Sequence, residues 1–214
     1  MIKKKLPLLL VTSVIIVLPV LAGIVLWNRL PEQLAIHWNA QGVADGFTGK
    51  AGAVFAMPAF LLVVHWVCAL FTGMDPKVKN IEGKPLNLVL WICPLISLLV
   101  NTLVYTTALG FSVSVEIVMP LVMGALFVVI GNYMPKCSQN YTVGIKLPWT
   151  LNDPENWNKT HRFAGILWVV GGVVVMATAF LGSVFLFLGV TLVMVIIPTA
   201  YSYCLYRRKA AREA

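Results

Sequence analysis

Charged residues are scarce in this sequence. Only 11% of its 214 residues are charged, whereas 59% are hydrophobic. A soluble globular domain carries about a quarter charged residues. The few charges gather between long apolar runs, and about 20 consecutive apolar residues cross the hydrocarbon core of a bilayer as a helix. The composition therefore excludes an ordinary soluble domain and predicts an all-α, polytopic membrane protein whose first partner is the lipid bilayer.

Signatures of catalysis and of metal binding are also missing. The chain has no HExxH, no GxSxG and no glycine-rich phosphate loop. Its four cysteines form no CxxC pair and mostly lie in apolar runs, which is typical of small buried hydrophobic residues. We therefore expect no enzyme, no cofactor and no metal site. The net charge of +8 would be compatible with nucleic-acid binding. However, the excess Lys and Arg lie where they would orient membrane spans, so we expect no direct nucleic-acid partner.

Six apolar segments predict six transmembrane helices. They cover residues 6–27, 51–72, 86–109, 117–134, 163–181 and 184–206. The basic start and Ala22-Gly23 also resemble a cleavable signal peptide, but the apolar run is longer than a usual signal core, which favours an uncleaved first span. We divide the chain into an N-terminal membrane region, 1–85, with a cap loop (residues 28–50), and a second membrane region, 86–214, with a motif loop (residues 132–165).

The distribution of basic residues predicts the orientation of these spans. Of the 16 Lys and Arg, only Arg29 and Lys50 lie outside the N-terminal segment, the loop between spans two and three, the motif loop and the tail. Cytoplasmic segments of membrane proteins carry the excess of Lys and Arg. Both termini and the motif loop are therefore predicted to be cytoplasmic, and the cap loop extracytoplasmic.

The cap loop has the pattern of a small folded element. Leu34, Ile36 and Trp38 alternate with more polar neighbours, which is typical of a short strand. Gln41-Gly42 and Asp45-Gly46 are turn signals. We expect a structured cap rather than a disordered linker.

The motif loop is the longest polar interruption in the chain. Alternation from Tyr141 to Leu147 predicts an extended segment that Pro148 closes. Asp153-Pro154 predicts a helix start, with Asp as the N-cap, and this helix would run on into span five with Trp157, His161 and Gly165 on one face. Trp149 and Trp157 fit equally well as interfacial anchors or as recognition residues.

Two polar side chains are notable within the predicted spans. His65 is in span two and Asn101 in span three. An ionisable residue in a membrane helix is a functional candidate. An interhelical hydrogen bond, contributing about 1 kcal/mol, is the simpler interpretation and the one we favour for both.

The motif loop resembles a known family. The residues are Gly131-Asn132-Tyr133-Met134-Pro135, Asn140-Tyr141, Gly144-Ile145-Lys146, Pro148-Trp149-Thr150-Leu151, Trp157, Thr160-His161 and Gly165. Together they resemble the SdpI family of membrane immunity proteins. That family often has arginine where Lys146 stands, so the charge is kept but the planar fork of a guanidinium is lost.

The cap loop is similar to a domain of unknown function that is commonly fused ahead of the SdpI region. The residues that carry this second resemblance are Leu30-Pro31, Ile36-His37-Trp38-Asn39, Gly42, Asp45-Gly46 and Lys50.

The resemblance implies a function and a set of site residues. It implies a protein of the bacterial cytoplasmic (inner) membrane that gives resistance to a secreted antimicrobial peptide toxin. It further implies a signal receptor that sequesters a transcriptional repressor at the membrane. The candidate motif residues are Asn132, Pro135, Asn140, Gly144, Lys146, Pro148, Trp149, Thr150, Trp157, His161 and Gly165. The candidate cap residues are Pro31, His37, Trp38, Asn39, Gly42, Asp45 and Lys50.

Two other functions remain open from the sequence. A small secondary transporter or exporter would share the proline-containing spans, but it needs a polar site near the midplane of the bilayer. A regulatory anchor for a DNA-binding partner would use the motif loop alone.

Overall fold

The fold is almost entirely helical. The computed structural model describes residues 2–213, and the side chains of residues 5–212. The elements in chain order are α1 (Ile2–Val25), β1 (Gln33–Trp38), β2 (Ala44–Gly49), α2 (Met57–Gly73), α3 (Lys84–Ala108), α4 (Val115–Tyr133), α5 (Pro148–Leu151), α6 (Pro154–Thr178) and α7 (Val184–Glu213). A π-helical turn, Gly52–Ala56, leads into α2.

Within the described chain, six helical segments are long and apolar enough to cross a membrane. They are Lys5–Val25, Gly52–Gly73, Lys84–Ala108, Val115–Lys136, Pro154–Thr178 and Val184–Arg212. Each contains one of the six predicted spans or most of it. The prediction of an all-α polytopic membrane protein with six transmembrane helices is therefore confirmed. Its orientation in the bilayer stays a prediction.

The chain forms two compact units, and each is described by itself. The first unit comprises Met1–Met74 and Leu86–Val115, and the second comprises Asp75–Pro85 and Glu116–Ala214. The loop between α2 and α3 thus packs with the second unit, although both helices belong to the first. The division of the chain at residues 85 and 86 remains a prediction.

In the first unit, a hydrophobic core joins the cap loop to the ends of α1, α2 and α3. Leu34 of β1 is 1% exposed and packs with Val54, Val104 and Tyr105. The Tyr105 hydroxyl donates to the carbonyl of Pro19 at 3.3 Å. The cap is held by this core because the inward face of β1 supplies an apolar side chain to it.

The two polar side chains within spans differ in their contacts. His65 Nε2 lies 2.9 Å from Thr12 Oγ1, so an interhelical hydrogen bond joins α2 to α1, as predicted. The same prediction is wrong for Asn101, whose amide donates to the Ser97 carbonyl of its own helix at 2.8 Å. The bond between helices is made instead by the Ser97 hydroxyl, which donates to the Ile16 carbonyl.

Two local predictions are wrong. Residues 141–144 form bends and residues 145–147 have no regular secondary structure, so no strand forms here, and Pro148 begins α5. The reason is that side chains of Asn140 and His161 bond the backbone here, which removes the need for a strand partner. Asp45-Gly46 is not a turn but part of β2, where the register of the hairpin shifts.

Two other local predictions are confirmed. β1 lies where the alternation placed a strand, and α6 begins at Pro154 with Asp153 as its N-cap. The Asp153 carboxylate accepts from the backbone N–H of Glu155 at 2.9 Å and of Asn156 at 3.3 Å.

Candidate functional site

Asn140 organises the first part of the motif loop. Its side chain is fully buried. The amide oxygen accepts from the backbone N–H of Thr142 at 2.9 Å and of Val143 at 2.6 Å, and the amide nitrogen donates to the carbonyls of Ser138 and Val143. Asn is well suited to this position because one amide supplies both a donor and an acceptor to a tight turn. The turn therefore needs no strand or helix to satisfy its backbone.

His161 fastens the next part of the loop to α6. Its Nδ1 donates to the Trp157 carbonyl at 2.8 Å, and its Nε2 accepts from the backbone N–H of Ile145 at 2.9 Å. A carbonyl oxygen can only accept, so the proton is on Nδ1 and both ring nitrogens are occupied. The ring is 1% exposed and stacks on Trp157, with ring centroids 4.0 Å apart. His161 thus acts as a backbone clamp.

Gly144 is required by this clamp. Its φ is +121°, which side chains rarely adopt, and a Cβ here would overlap His161 Nε2 and approach the Trp157 ring within 3.0 Å. Trp157 is itself fully buried and donates from Nε1 to the Cys137 carbonyl at 2.8 Å. Its burial excludes the role of lipid-interface anchor for Trp157.

Thr150 closes the loop onto α5. Its hydroxyl oxygen accepts from the backbone N–H of Leu147 at 2.9 Å, and the hydroxyl lies 2.8 Å from the Ile145 carbonyl oxygen. Pro148 occupies the first turn of α5, where a missing N–H costs nothing. The sequence Pro148-Trp149-Thr150-Leu151 is therefore a one-turn helix that presents Trp149 to one side.

Trp149 joins α5 to α7. Its Nε1 donates to Ser202 Oγ at 2.8 Å, and the Ser202 hydroxyl donates to the Asn156 amide oxygen at 2.9 Å. The indole also contacts two rings of α7, Tyr203 at 5.4 Å and Tyr206 at 5.9 Å between centroids. Trp149 is half-buried. Sequence patterns did not indicate Ser202 and Asn156, because both lie in helical stretches without a distinguishing motif.

A groove opens beside Trp149. It has a volume of about 440 Å³ and is lined by Pro148, Trp149, Asn152, Asp153, Tyr206, Lys209 and Ala210. Lys209 Nζ lies 3.1 Å from Asp153 Oδ2. Burial raises the pKa of the Asp153 carboxyl, but the hydrogen bonds from Lys209, Asn156 and Glu155 and the positive charge of Lys209 outweigh it. The pKa of Asp153 therefore lies below its usual range, and the groove contains an ion pair.

Asp75 holds the motif loop from the loop between α2 and α3, residues 74–83, which is called the second loop below. Sequence patterns did not indicate this role. Its carboxylate accepts from the backbone N–H of Lys77 at 2.7 Å, the backbone N–H of Tyr141 at 2.9 Å and the Thr142 hydroxyl at 2.5 Å. Burial raises the pKa of Asp75, but these hydrogen bonds outweigh that effect and hold its pKa below the usual value. A lone Asp near a run of lysines gave no signal in the sequence.

Gln139 reinforces the same junction. Its amide oxygen accepts from Lys77 Nζ at 2.5 Å, and its backbone carbonyl accepts from Asn80 at 2.6 Å. Its amide nitrogen donates to the carbonyls of Thr150 and Leu151. The second loop, the Asn140 turn and α5 are therefore one hydrogen-bonded assembly.

Gly165 serves helix packing rather than the loop. A Cβ on Gly165 would lie 2.8 Å from the Gly131 carbonyl and from the Pro135 ring, so α6 crosses the end of α4 at very short range.

The side chains of Asn132 and Lys146 are exposed, and neither has a hydrogen bond or ion pair to any side chain or backbone group within residues 5–212. The structure thus brings together Asn140, Gly144, Thr150, Trp157 and His161, but not Asn132 or Lys146.

The predicted cap residues form a separate group. His37 and Asp45 pair across the hairpin at 2.5 Å, and both are exposed. Asn39 closes the turn, since its amide oxygen accepts from the backbone N–H of Gln41 and Val43, and Gly42 has a φ of 72°. Trp38 is half-buried against the first unit's core, and Pro31 is exposed.

Lys50 ends the cap. Its Nζ lies 3.0 Å from Glu32 and 5.3 Å from the centre of the Trp27 ring. The cap residues therefore form an exposed hydrogen bond between His37 and Asp45, one capped turn and a basic anchor beside an aromatic ring.

Comparison with known proteins agrees with both resemblances. Residues 136–202 match the SdpI/YfhL protein family, and residues 14–62 match a domain of unknown function, DUF1648. The chain is 27% identical over 205 residues to the "Immunity protein SdpI" of Bacillus subtilis (strain 168), covering 92% of this chain and 95% of that protein. No solved structure matches the chain. The match to the SdpI/YfhL family lies behind the match to DUF1648 in the chain, in the order that the motifs indicated.

Proposed function

We propose that this chain is a membrane immunity protein that gives a bacterium resistance to a secreted antimicrobial peptide toxin. The observation that carries the proposal is its likeness to the immunity protein of Bacillus subtilis, which extends over 92% of the chain and includes both loops and all six helices. The proposed location is the bacterial cytoplasmic membrane. The protection is a binding function, by sequestering the toxin or by blocking its action in the membrane.

The cap loop and the motif loop have different roles in this proposal. The cap loop is the surface that meets the toxin, and its exposed His37–Asp45 pair and the exposed side chains of Val43 and Phe47 support that role. The motif loop is the signalling element, which would hold a cytoplasmic transcriptional repressor at the membrane once toxin is bound. Exposed Lys146 is its accessible feature.

Survival of toxin-treated cells tests the proposal. The chain is expressed in a bacterium sensitive to a membrane-active peptide toxin of the SDP type, and killing is compared with a strain that carries the empty vector. We expect protection that grows with the amount of protein in the membrane fraction. Equal killing of both strains, with the protein present in the membrane, would refute immunity to this toxin.

Trp149→Ala tests the motif loop. The substitution removes the hydrogen bond to Ser202 and the contacts with Tyr203 and Tyr206. We expect protection to be lost while the protein still inserts, because the six apolar helices are unchanged. Trp91→Ala is the matched control, since Trp91 is 37% exposed on α3 and has no polar partner within residues 5–212. Full protection by Trp149→Ala at wild-type protein levels would rule out this site.

A further inference from the structure

The groove beside Trp149 lies where α7 changes from apolar to basic. One wall of the groove is formed by α7. It is lined by Tyr206, the last ring of the apolar stretch, and by Lys209 and Ala210 of the next turn. Trp149 and Pro148 of α5 line the other wall. The membrane-spanning segment of α7 extends to Arg212, so these residues lie at its end.

Aromatic rings mark the depth of the groove in the bilayer. Trp149, Tyr203 and Tyr206 form a cluster with centroid distances of 5.4, 5.9 and 6.3 Å. Tyr203 and Tyr206 are nearly half exposed. Trp and Tyr are enriched at the level of the lipid headgroups, where one side of the ring is apolar and the other meets water. The groove is therefore at headgroup depth, whichever leaflet it faces.

Charge identifies the ligand that suits this position. Arg207, Arg208 and Arg212 are exposed and make no ion pair within residues 5–212. Lys209 is paired with Asp153, the one carboxylate among the described residues that line the groove. Near the groove, the last turns of α7 thus carry three exposed arginines in addition to this pair. A surface of this kind attracts anionic lipid headgroups.

We propose that the groove binds the headgroup of an anionic phospholipid. The phosphate lies near Lys209 and the arginines of the last turns of α7, and the apolar start of the lipid lies against Trp149, Tyr206 and Pro148. This site needs no toxin and no protein partner, so it stands independently of the immunity function.

Native mass spectrometry of the purified full-length protein in detergent tests the lipid site. Phosphatidylglycerol and phosphatidylcholine are titrated as probes, and the retained lipid is counted. We expect phosphatidylglycerol to bind more tightly. Each basic side chain near an anionic headgroup contributes about five-fold in affinity, so the double variant Arg207→Gln with Arg208→Gln should lose about thirty-fold. The matched control, Lys79→Gln with Lys84→Gln, removes two exposed charges, one in the second loop and one at the start of α3. It should change affinity less than about three-fold.

Asp153→Asn should change the affinity for phosphatidylglycerol in the opposite direction to the arginine variants. Asn caps a helix about as well as Asp, so α6 keeps its N-cap, while the groove loses the negative charge of Asp153. We expect phosphatidylglycerol to bind about five-fold more tightly, a gain that misfolding cannot produce. Glu82→Gln, which removes an exposed carboxylate of the second loop, should leave affinity unchanged.

Several results would overturn the site. These are equal binding of the two lipids, an equal loss in both double variants, or weaker binding by Asp153→Asn. Inorganic phosphate should not displace the lipid, since it has no apolar part to lie on the rings, and displacement would refute a lipid site.

Discussion

At the residue scale, the motif loop is held by side chains that bond backbone rather than by regular structure. Asn140 and His161 together occupy the N–H groups of three loop residues, Thr142, Val143 and Ile145. Buried backbone donors without partners destabilise a fold by about 1–3 kcal/mol each. The motif residues Asn140, Gly144, Thr150, Trp157 and His161 are therefore explained first as parts of one scaffold, and their role in function follows from what that scaffold presents.

Asp75 gives a prediction at this scale. Asp75→Asn replaces a carboxylate that accepts three hydrogen bonds by an amide with a single acceptor oxygen, so one or more buried donors lose their partner. Hydrogen bonds to a charged group contribute about 1.5–3 kcal/mol, and Asp75 is only 5% exposed. We expect the variant to be less stable by about 2 kcal/mol at pH 7, measured as the thermal unfolding midpoint of the purified protein in detergent.

The pH dependence of this difference has a definite sign. Because the pKa of Asp75 is lower in the folded protein than in the unfolded chain, its contribution is full above the unfolded value of about 3.9. It is lost as pH falls below that value through the folded pKa. The two proteins should therefore differ by a constant amount between pH 7 and 5 and converge below about pH 4. Glu82→Gln is the control and should have the stability of the wild-type protein across this pH range. If Asp75→Asn remained less stable than the wild-type protein in acid, the charge-based explanation would be contradicted.

At the element scale, two pairs of glycines set the packing of α4 against α6. A Cβ on Gly131 would lie 2.8 Å from the Gly165 carbonyl, and one on Gly124 would lie 2.5 Å from the Gly172 carbonyl. The two glycines of each helix are seven residues apart, Gly124 and Gly131 in α4 and Gly165 and Gly172 in α6, which keeps them on one face. Lipid supplies no hydrophobic force that drives membrane helices together, so their association depends on close packing. Small residues permit that packing because they let the two backbones approach closely.

Gly131→Val tests this packing. The added side chain has no room between two backbones, so we expect a loss of about 1–3 kcal/mol, seen as a lower unfolding midpoint in detergent. Gly189→Val in α7 is the matched control, because nothing lies within 4 Å of a Cβ placed there. Equal stability of the two variants would mean that α4 and α6 do not pack as closely as described.

At the scale of the whole molecule, orientation in the membrane decides which loop meets the outside. The prediction rests on the basic residues, since only Arg29 and Lys50 lie on the face that carries the cap loop. The immunity proposal depends on this orientation, because a secreted toxin arrives from the extracytoplasmic side.

Single cysteines measure the orientation. In a background without the four native cysteines, Gln41→Cys in the cap loop should react with a membrane-impermeant thiol reagent in intact cells. Glu82→Cys in the second loop should react only after the membrane is permeabilised. The reversed pattern would place the cap loop in the cytoplasm and exclude it as the surface that meets the toxin.

The sequence alone determined the class of the protein and most of its elements. Long apolar runs specify membrane helices because the backbone must satisfy its own hydrogen bonds in lipid, and each run contains all the information needed. The start of α6 could also be predicted from neighbouring residues alone, since Asp153 caps the helix that Pro154 begins. The strand β1 followed from alternation within the cap loop.

Tertiary structure decided what the motif residues do. The irregular backbone of residues 141–147 follows from contacts with His161, which lies 16 residues after Ile145, and with Asp75, which lies 66 residues before Tyr141. Alternation within the loop predicted a strand because it contains no sign of these distant partners. The groove likewise joins α5 to the end of α7, and Gly165 meets Gly131 across two helices. Periodicity is a property of neighbouring residues, whereas a buried donor, a close helix crossing and a groove depend on groups that only folding brings together.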